Sequence, residues 1–172
     1  MPARVTAFAP VLALVAGLLA VVGAASPSVA AGEKTLHQKA TVVRVVDGDT
    51  VNVQLRSGAE KPVRLIGIDT PEVYPVEYCG GPEASRSLKR LLPVGTHVRL
   101  VSDPTQDRVD RYGRLLRYVI KASDDRDMNQ VQLHRGWANV YVYHQNPFKR
   151  VADYRSARRS AKAHDRGIWG MC

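Results

Sequence analysis

Apolar positions along this chain fall into two regimes. From Val5 to Ala25 they run almost without interruption, and after about Gly32 they come in short runs broken by turn residues. In the second regime "ATVVRVV" (40–46) and "VNVQL" (51–55) are rich in β-branched residues and flank Asp47-Gly48-Asp49-Thr50, which predicts a hairpin. A third strand, 62–68, follows the turn at Ser57-Gly58, so the first three strands form a meander. Residues from Pro71 to Gly81 carry no period and hold Pro71, Pro75, Gly80 and Gly81, the composition of a loop.

The period then changes. "PEASRSLKRLL" (82–92) places Ala84, Leu88, Leu91 and Leu92 on one helical face behind Pro82, and Pro93 and Gly95 end it. "THVRLVS" (96–102) and "RLLRYVIK" (114–121) are a fourth and fifth strand. Asp127 is placed to cap a helix over 128–135, with Gly136 just beyond it. Asn146-Pro147 opens a last helix to about Ala163, with Phe148, Val151, Tyr154, Ala157 and Ala161 on its apolar stripe. Five short strands with a helix inserted after the third predict a mainly β (α+β) fold: a five-stranded Greek-key barrel of the OB type with packed helices. An open α+β sheet is the alternative.

Residues 1–31 are expected to be a signal peptide. Arg4 supplies the positive start, and Ser28-Val29-Ala30 or Val29-Ala30-Ala31 supplies small residues for cleavage. An uncleaved membrane anchor is the rival, weakened by Pro10, Gly17, Gly23 and Pro27. A flexible lead-in over 32–40 and one domain over 41–172 then follow. Arg4 is the only charged residue in the first 31, so residues 32–172 carry +8 of the chain's +9. A basic exported protein favours anionic partners: nucleic acid, a membrane surface or a cell-wall polymer. Its two cysteines, Cys79 and Cys172, form an even pair, which suggests a disulfide in an oxidising compartment; neither lies in a zinc spacing.

Histidines offer no catalytic pattern. His37, His97, His134, His144 and His164 are scattered, and no Gly-x-Ser-x-Gly occurs. Carboxylates are better placed, since Asp47, Asp49, Asp69 and Glu72 all fall at predicted strand ends. Oxygen clusters of this kind hold hard cations. Each motif also reads as a plain turn, because Asp-Gly is the strongest hairpin signal. Arg64 and Arg114 add guanidinium forks that match phosphate oxygens. Strand alternation would put Arg64 and Asp69 on opposite faces, unless barrel curvature intervenes or Asp69 lies beyond the strand end. Tyr141 and Tyr143 are able to stack on bases, or to serve as ordinary strand cover.

"VVDGDTV", "RLIGIDTPE", "GPEAS", "DRYGR", "RGWANVYVY" and "GIW" occur in an order and spacing that resemble the thermonuclease (staphylococcal nuclease) family, over about residues 41–169. The resemblance implies a five-stranded OB barrel with three helices. It also implies a Ca²⁺-dependent phosphodiesterase acting on DNA and RNA and leaving 3′-phosphate ends. Carried onto this sequence, Asp49 and Asp69 are the carboxylate ligands of Ca²⁺, and Thr70 adds its backbone carbonyl. Glu72 activates or orients the attacking water, while Arg64 and Arg114 clamp the scissile phosphate. Arg111 and Tyr112 contact substrate phosphate, and Tyr141 and Tyr143 line the nucleotide pocket. The pairing of Cys79 with Cys172 also fits relatives of this kind. The loop from Glu72 to Gly81 is shorter and poorer in lysine than in well-known members. One residue is missing before Tyr141.

Two other classes account for part of the pattern. An OB module that binds nucleic acid without cleaving predicts loss of Arg64, Glu72 or Arg114, and all three are present. A cell-wall-binding protein accounts for the charge but not for the Arg, Asp and Glu constellation. The expected protein is a secreted monomeric nuclease with no stable protein partner.

Overall fold

The computed structural model describes Met1 and residues 34–172; the expected signal peptide lies outside the described residues. Five strands close a barrel in the order β1, β2, β3, β6, β5. They are β1 (His37–Val45), β2 (Thr50–Leu55), β3 (Glu60–Leu65), β5 (His97–Val101) and β6 (Leu115–Lys121). β1 pairs with β2 across the Asp47–Asp49 turn and with β5 on its other edge. A register shift between Val42 and Arg44 bends this long strand so that it serves both partners. Closure comes from a parallel pairing of β3 with β6. β1 starts at His37, inside the stretch expected to be a loose lead-in, because Leu36 and Ser102 exchange hydrogen bonds beside it.

Val42, Val51, Val53, Val63, Leu65, Leu100 and Val119 fill the barrel. Helices α1 (Gly81–Leu91), α2 (Met128–His134) and α3 (Val151–Ala163) cover it, with a short α4 (Ile168–Met171) at the end. The expected apolar face of α1 is the buried one, through Ala84, Leu88 and Leu91. Asp127 caps α2 as expected, accepting from the N–H groups of Asn129 and Gln130. The last helix begins at Val151 rather than at Pro147. Phe148 is drawn into the core ahead of it, against Tyr118 and Tyr154.

The third strand also differs from expectation. It does not run from 62 to 68 but stops at Leu65; the chain turns at Ile66 and Gly67, and Ile68–Asp69 forms a separate strand, β4. Gly67 takes φ 78°, and a Cβ there would lie 2.4 Å from the Phe148 ring, so only glycine fits the turn. β4 pairs with β7 (Asn139–Val140), Asp69 opposite Asn139. Beyond Val140 the chain leaves the sheet, and Tyr143–Gln145 form a turn of 3₁₀ helix.

Candidate active site

The turn at Gly67 settles how Arg64 and Asp69 meet. Because Asp69 lies past the end of β3 on its own short strand, its carboxylate swings back to Arg64. Arg64 Nη2 donates to Asp69 Oδ1 at 2.9 Å and contacts Asp49 Oδ2 at 3.0 Å. Nη1 donates to the carbonyls of Leu65 and Ile68, at 3.1 and 2.7 Å, which fixes the plane of the guanidinium. Two carboxylates from separate segments thus converge on one cationic nitrogen.

Asp49 is the buried member, 6 % exposed. The hairpin turn delivers it: Asp49 N–H donates to Asp47 Oδ1, and the Leu65 N–H donates to the Asp49 carbonyl, tying turn to barrel. Its Oδ2 accepts from both the N–H and the hydroxyl of Thr70, and its Oδ1 from the Thr50 hydroxyl. Burial is the largest influence on its carboxyl, and the negative charges of Asp47 and Asp69 act the same way. Arg64 and the Thr70 N–H oppose them, and the net result is a carboxyl pushed up to about 6. Gly48 is needed beside it, because a Cβ there would sit 2.6 Å from the Thr70 hydroxyl.

Glu72 stands exposed at the start of the 72–81 loop. Its carboxyl is raised, first by partial burial and then by Asp47 and Asp69, against the pull of Arg64 and Arg114. Arg64 and Arg114 thus both act on the Glu72 carboxyl. Arg114 is oriented by Asp110: Nε donates to Oδ2 at 2.7 Å, and Oδ1 accepts the Tyr112 and Arg114 N–H groups. Sequence reading assigned Asp110 no role, although an aspartate four residues before Arg114 in a Gly-containing turn is the signal for it. Tyr112 lies under both guanidinium groups, with the Arg111 and Arg114 Cζ atoms 4.8 and 5.3 Å from its ring centre.

Tyr141 and Tyr143 are half exposed, with ring centres 6.4 Å apart, so they are surface rings rather than core cover, and Tyr143 also packs on the His144 ring at 4.0 Å. Tyr141 is held near the site by its N–H, which donates to the Gly67 carbonyl at 3.0 Å. Cys79 and Cys172 are joined in a disulfide.

A hard divalent cation fits this donor chemistry. Two carboxylates lie within about one hydrogen bond of a common point, amid an acidic excess that burial makes unfavourable. Among the described residues no group of three or more His, Cys, Asp or Glu converges as a metal cluster, so a cation held by Asp49 and Asp69 would draw on backbone and solvent oxygens as well.

The model of the family described as Staphylococcal nuclease homologue matches residues 62–171. This chain belongs to that family. It is 35% identical over 137 residues to the Thermonuclease of Staphylococcus hyicus, covering 77% of this chain and 76% of the relative. Against the Thermonuclease of Staphylococcus intermedius it is 34% identical over 133 residues, 74% of each. It is also 36% identical over 133 residues to Endonuclease YncB of Bacillus subtilis, 75% of this chain but only 60% of that longer protein. The barrel, its parallel closure and the three covering helices are the family's OB-type α+β fold.

Proposed function

We propose that this chain is an exported, calcium-dependent nuclease that hydrolyses phosphodiester bonds of DNA and RNA to leave 3′-phosphate ends. The observation that carries the reading is the convergence of Asp49 and Asp69 on Arg64 Nη2. A carboxylate pair and a guanidinium at one point, within a chain of net charge +9, is a place where cation and phosphate meet. The relatives named thermonuclease and endonuclease support it.

Asp49, Asp69 and the Thr70 carbonyl would hold Ca²⁺, which supplies charge neutralisation at the phosphate. Extracellular calcium modules work with dissociation constants of roughly 10⁻⁴–10⁻³ M, in keeping with two carboxylates and an exported protein. Arg64 Nη2, no longer needed between the carboxylates, donates to a phosphate oxygen, and Arg114 donates to another. These donors stabilise charge that builds on the equatorial oxygens in the transition state. Glu72 takes a proton from the attacking water. The water oxygen bonds to phosphorus as the P–O5′ bond breaks, and the departing oxygen takes a proton from solvent. Arg111 and Tyr112 hold a neighbouring phosphate, and Tyr141 and Tyr143 hold the nucleotide. The enzyme acts as a monomer outside the cell, with residues 1–31 removed as a signal peptide.

The test is hydrolysis of single-stranded DNA and of RNA by residues 32–172, with calcium and with chelator. Calcium-dependent cleavage to 3′-phosphates is expected. Binding without cleavage under both conditions would make the chain an OB module that holds nucleic acid.

A further inference from the structure

Beside Asp69 lies a cavity of about 340 Å³ that the roles above leave unused. It is lined by Asp69, Thr70, Pro71, Tyr78, Cys79 and Asn139. Its size is at the lower end of small-molecule sites, roughly 300–1,000 Å³, and it shares the Asp69–Thr70 wall with the carboxylate pair. Tyr78 is 59% exposed, on a loop that also exposes Tyr74 and Val76.

An exposed tyrosine on a loop is ordinarily a poor ligand platform, because ordering it costs entropy. Here the backbone is fixed. The Tyr78 N–H donates to the Glu72 carbonyl at 3.0 Å, and the Tyr78 carbonyl accepts from Gly81 N–H at 2.9 Å. The next residue, Cys79, is bonded to Cys172, and Gly80 packs so closely on Ile168 that a Cβ there would lie 2.4 Å from its Cγ2. Asn139 stands on β7 opposite Asp69, bringing an amide that both donates and accepts. An apolar ring face and an amide in one cavity, against a wall shared with the carboxylate pair, match one ligand fragment: a nucleotide with its base stacked and its base edge hydrogen-bonded.

Resting on the nuclease reading, we propose that Tyr78 is a specificity-determining platform for the base adjoining the scissile phosphate, with Asn139 facing that base's edge. The ring of this subsite comes from the 72–81 loop, not from the segment of Tyr141 and Tyr143 that follows Asn139. The base must be unstacked to reach Tyr78, so the subsite favours single strands over duplex.

The experiment compares Tyr78→Ala, Tyr78→Leu and Tyr78→Trp on a short single-stranded oligodeoxynucleotide cut at one site, and on the same oligonucleotide with an abasic nucleotide at each position flanking the cut. Tyr78→Ala is expected to raise KM roughly tenfold with kcat little changed. Tyr78→Trp restores KM and Tyr78→Leu does not. At one flanking position, abasic substitution costs the wild type as much as Tyr78→Ala does, and costs Tyr78→Ala nothing further. An unchanged KM in Tyr78→Ala, rescue by Tyr78→Leu, or additive losses at every position would overturn the platform. Should the wild type not cleave at all, the nuclease reading fails separately, and fluorescence anisotropy of the same oligonucleotides against the same variants still decides the stacking.

Discussion

Arg64 Nη2 sits 3.0 Å from Asp49 Oδ2, in the position where a cation held by Asp49 and Asp69 would compete with it. In the proposed mechanism the arginine is both a rival for the carboxylates and, once displaced, a donor to phosphate. Arg64→Ala separates the two roles. Turnover is expected to fall about 10²–10³-fold, the usual loss of one transition-state donor. Calcium affinity by titration calorimetry is expected to hold or rise. Weaker calcium binding in the variant would show that Arg64 supports the cation site instead.

Glu72→Gln keeps shape and removes the proton acceptor of the proposed mechanism. Turnover is expected to drop by about 10²–10⁴-fold, the range for a positioned general base. The circular dichroism spectrum and thermal midpoint should stay close to wild type, because Glu72 is exposed and its side chain is not part of the core. A variant of near wild-type turnover would remove Glu72 from the mechanism.

Much of this site was readable in advance because its parts are turn chemistry and strand ends. Asp47-Gly48-Asp49 announced a hairpin, and β1 and β2 form it. The apolar face of α1 and the Asp127 cap of α2 followed from spacing and cap chemistry that the structure keeps. Arg64 and Asp69 were harder. Period-two alternation set them apart unless Asp69 lay beyond the strand end, and the break at Gly67, where the Phe148 ring leaves no room for a Cβ, puts it there. Local pattern contains no record of that contact. For the same reason Asn129 and Gln132 gave no signal. Asn129 is buried and donates to the Ile66 and Arg117 carbonyls, while Gln132 donates to those of Gly48 and Ala84. These amides join α2 to the turns that carry the site, and their partners are distant in sequence.

Asp127 joins α2 to α3 as well as capping α2. Its Oδ1 accepts the Asn129 and Gln130 N–H groups, and its Oδ2 accepts from Arg150 Nη1 at 2.6 Å and the Tyr154 hydroxyl at 2.7 Å. Asp127→Ala loses the cap and strands a buried hydroxyl, a combined cost of about 2–4 kcal/mol. Asp127→Asn keeps an acceptor for the cap and is expected to lose about half as much. Urea unfolding of both variants measures the difference; equal losses would mean the cap contributes little beside the Arg150–Tyr154 contacts.

The Cys79–Cys172 disulfide closes β5, β6 and all three covering helices into one loop. Chain-entropy arguments give roughly 4 kcal/mol for closure of that length, with measured values often smaller. Cys172→Ser is expected to lower the thermal midpoint. It should also loosen the 72–81 loop, seen as faster hydrogen exchange at Tyr78 and Gly81, whose N–H groups close that loop. Unchanged exchange there would confine the disulfide's effect to the unfolded chain.

Acid stability turns on Asp103. This carboxylate is buried and accepts from the Tyr118 hydroxyl, the Lys149 N–H at 2.7 Å, and the Thr105 N–H and hydroxyl at 2.8 and 2.7 Å. Burial pushes its carboxyl up, but the hydrogen bonds from Tyr118, Thr105 and Lys149 outweigh that and hold it below the ordinary value of 3.8. A folded value below the unfolded one means that stabilisation is complete above 3.8 and is lost as pH falls through the folded value. Asp103→Asn removes this dependence and turns an amide N–H₂ toward donors. Its thermal midpoint is expected to lie well below wild type at pH 7 and to close part of that gap as pH falls below 3.8, where the unfolded chain takes up the proton first. Midpoints measured across that interval test it, and a gap independent of pH would show that Asp103 contributes through packing rather than through its charge.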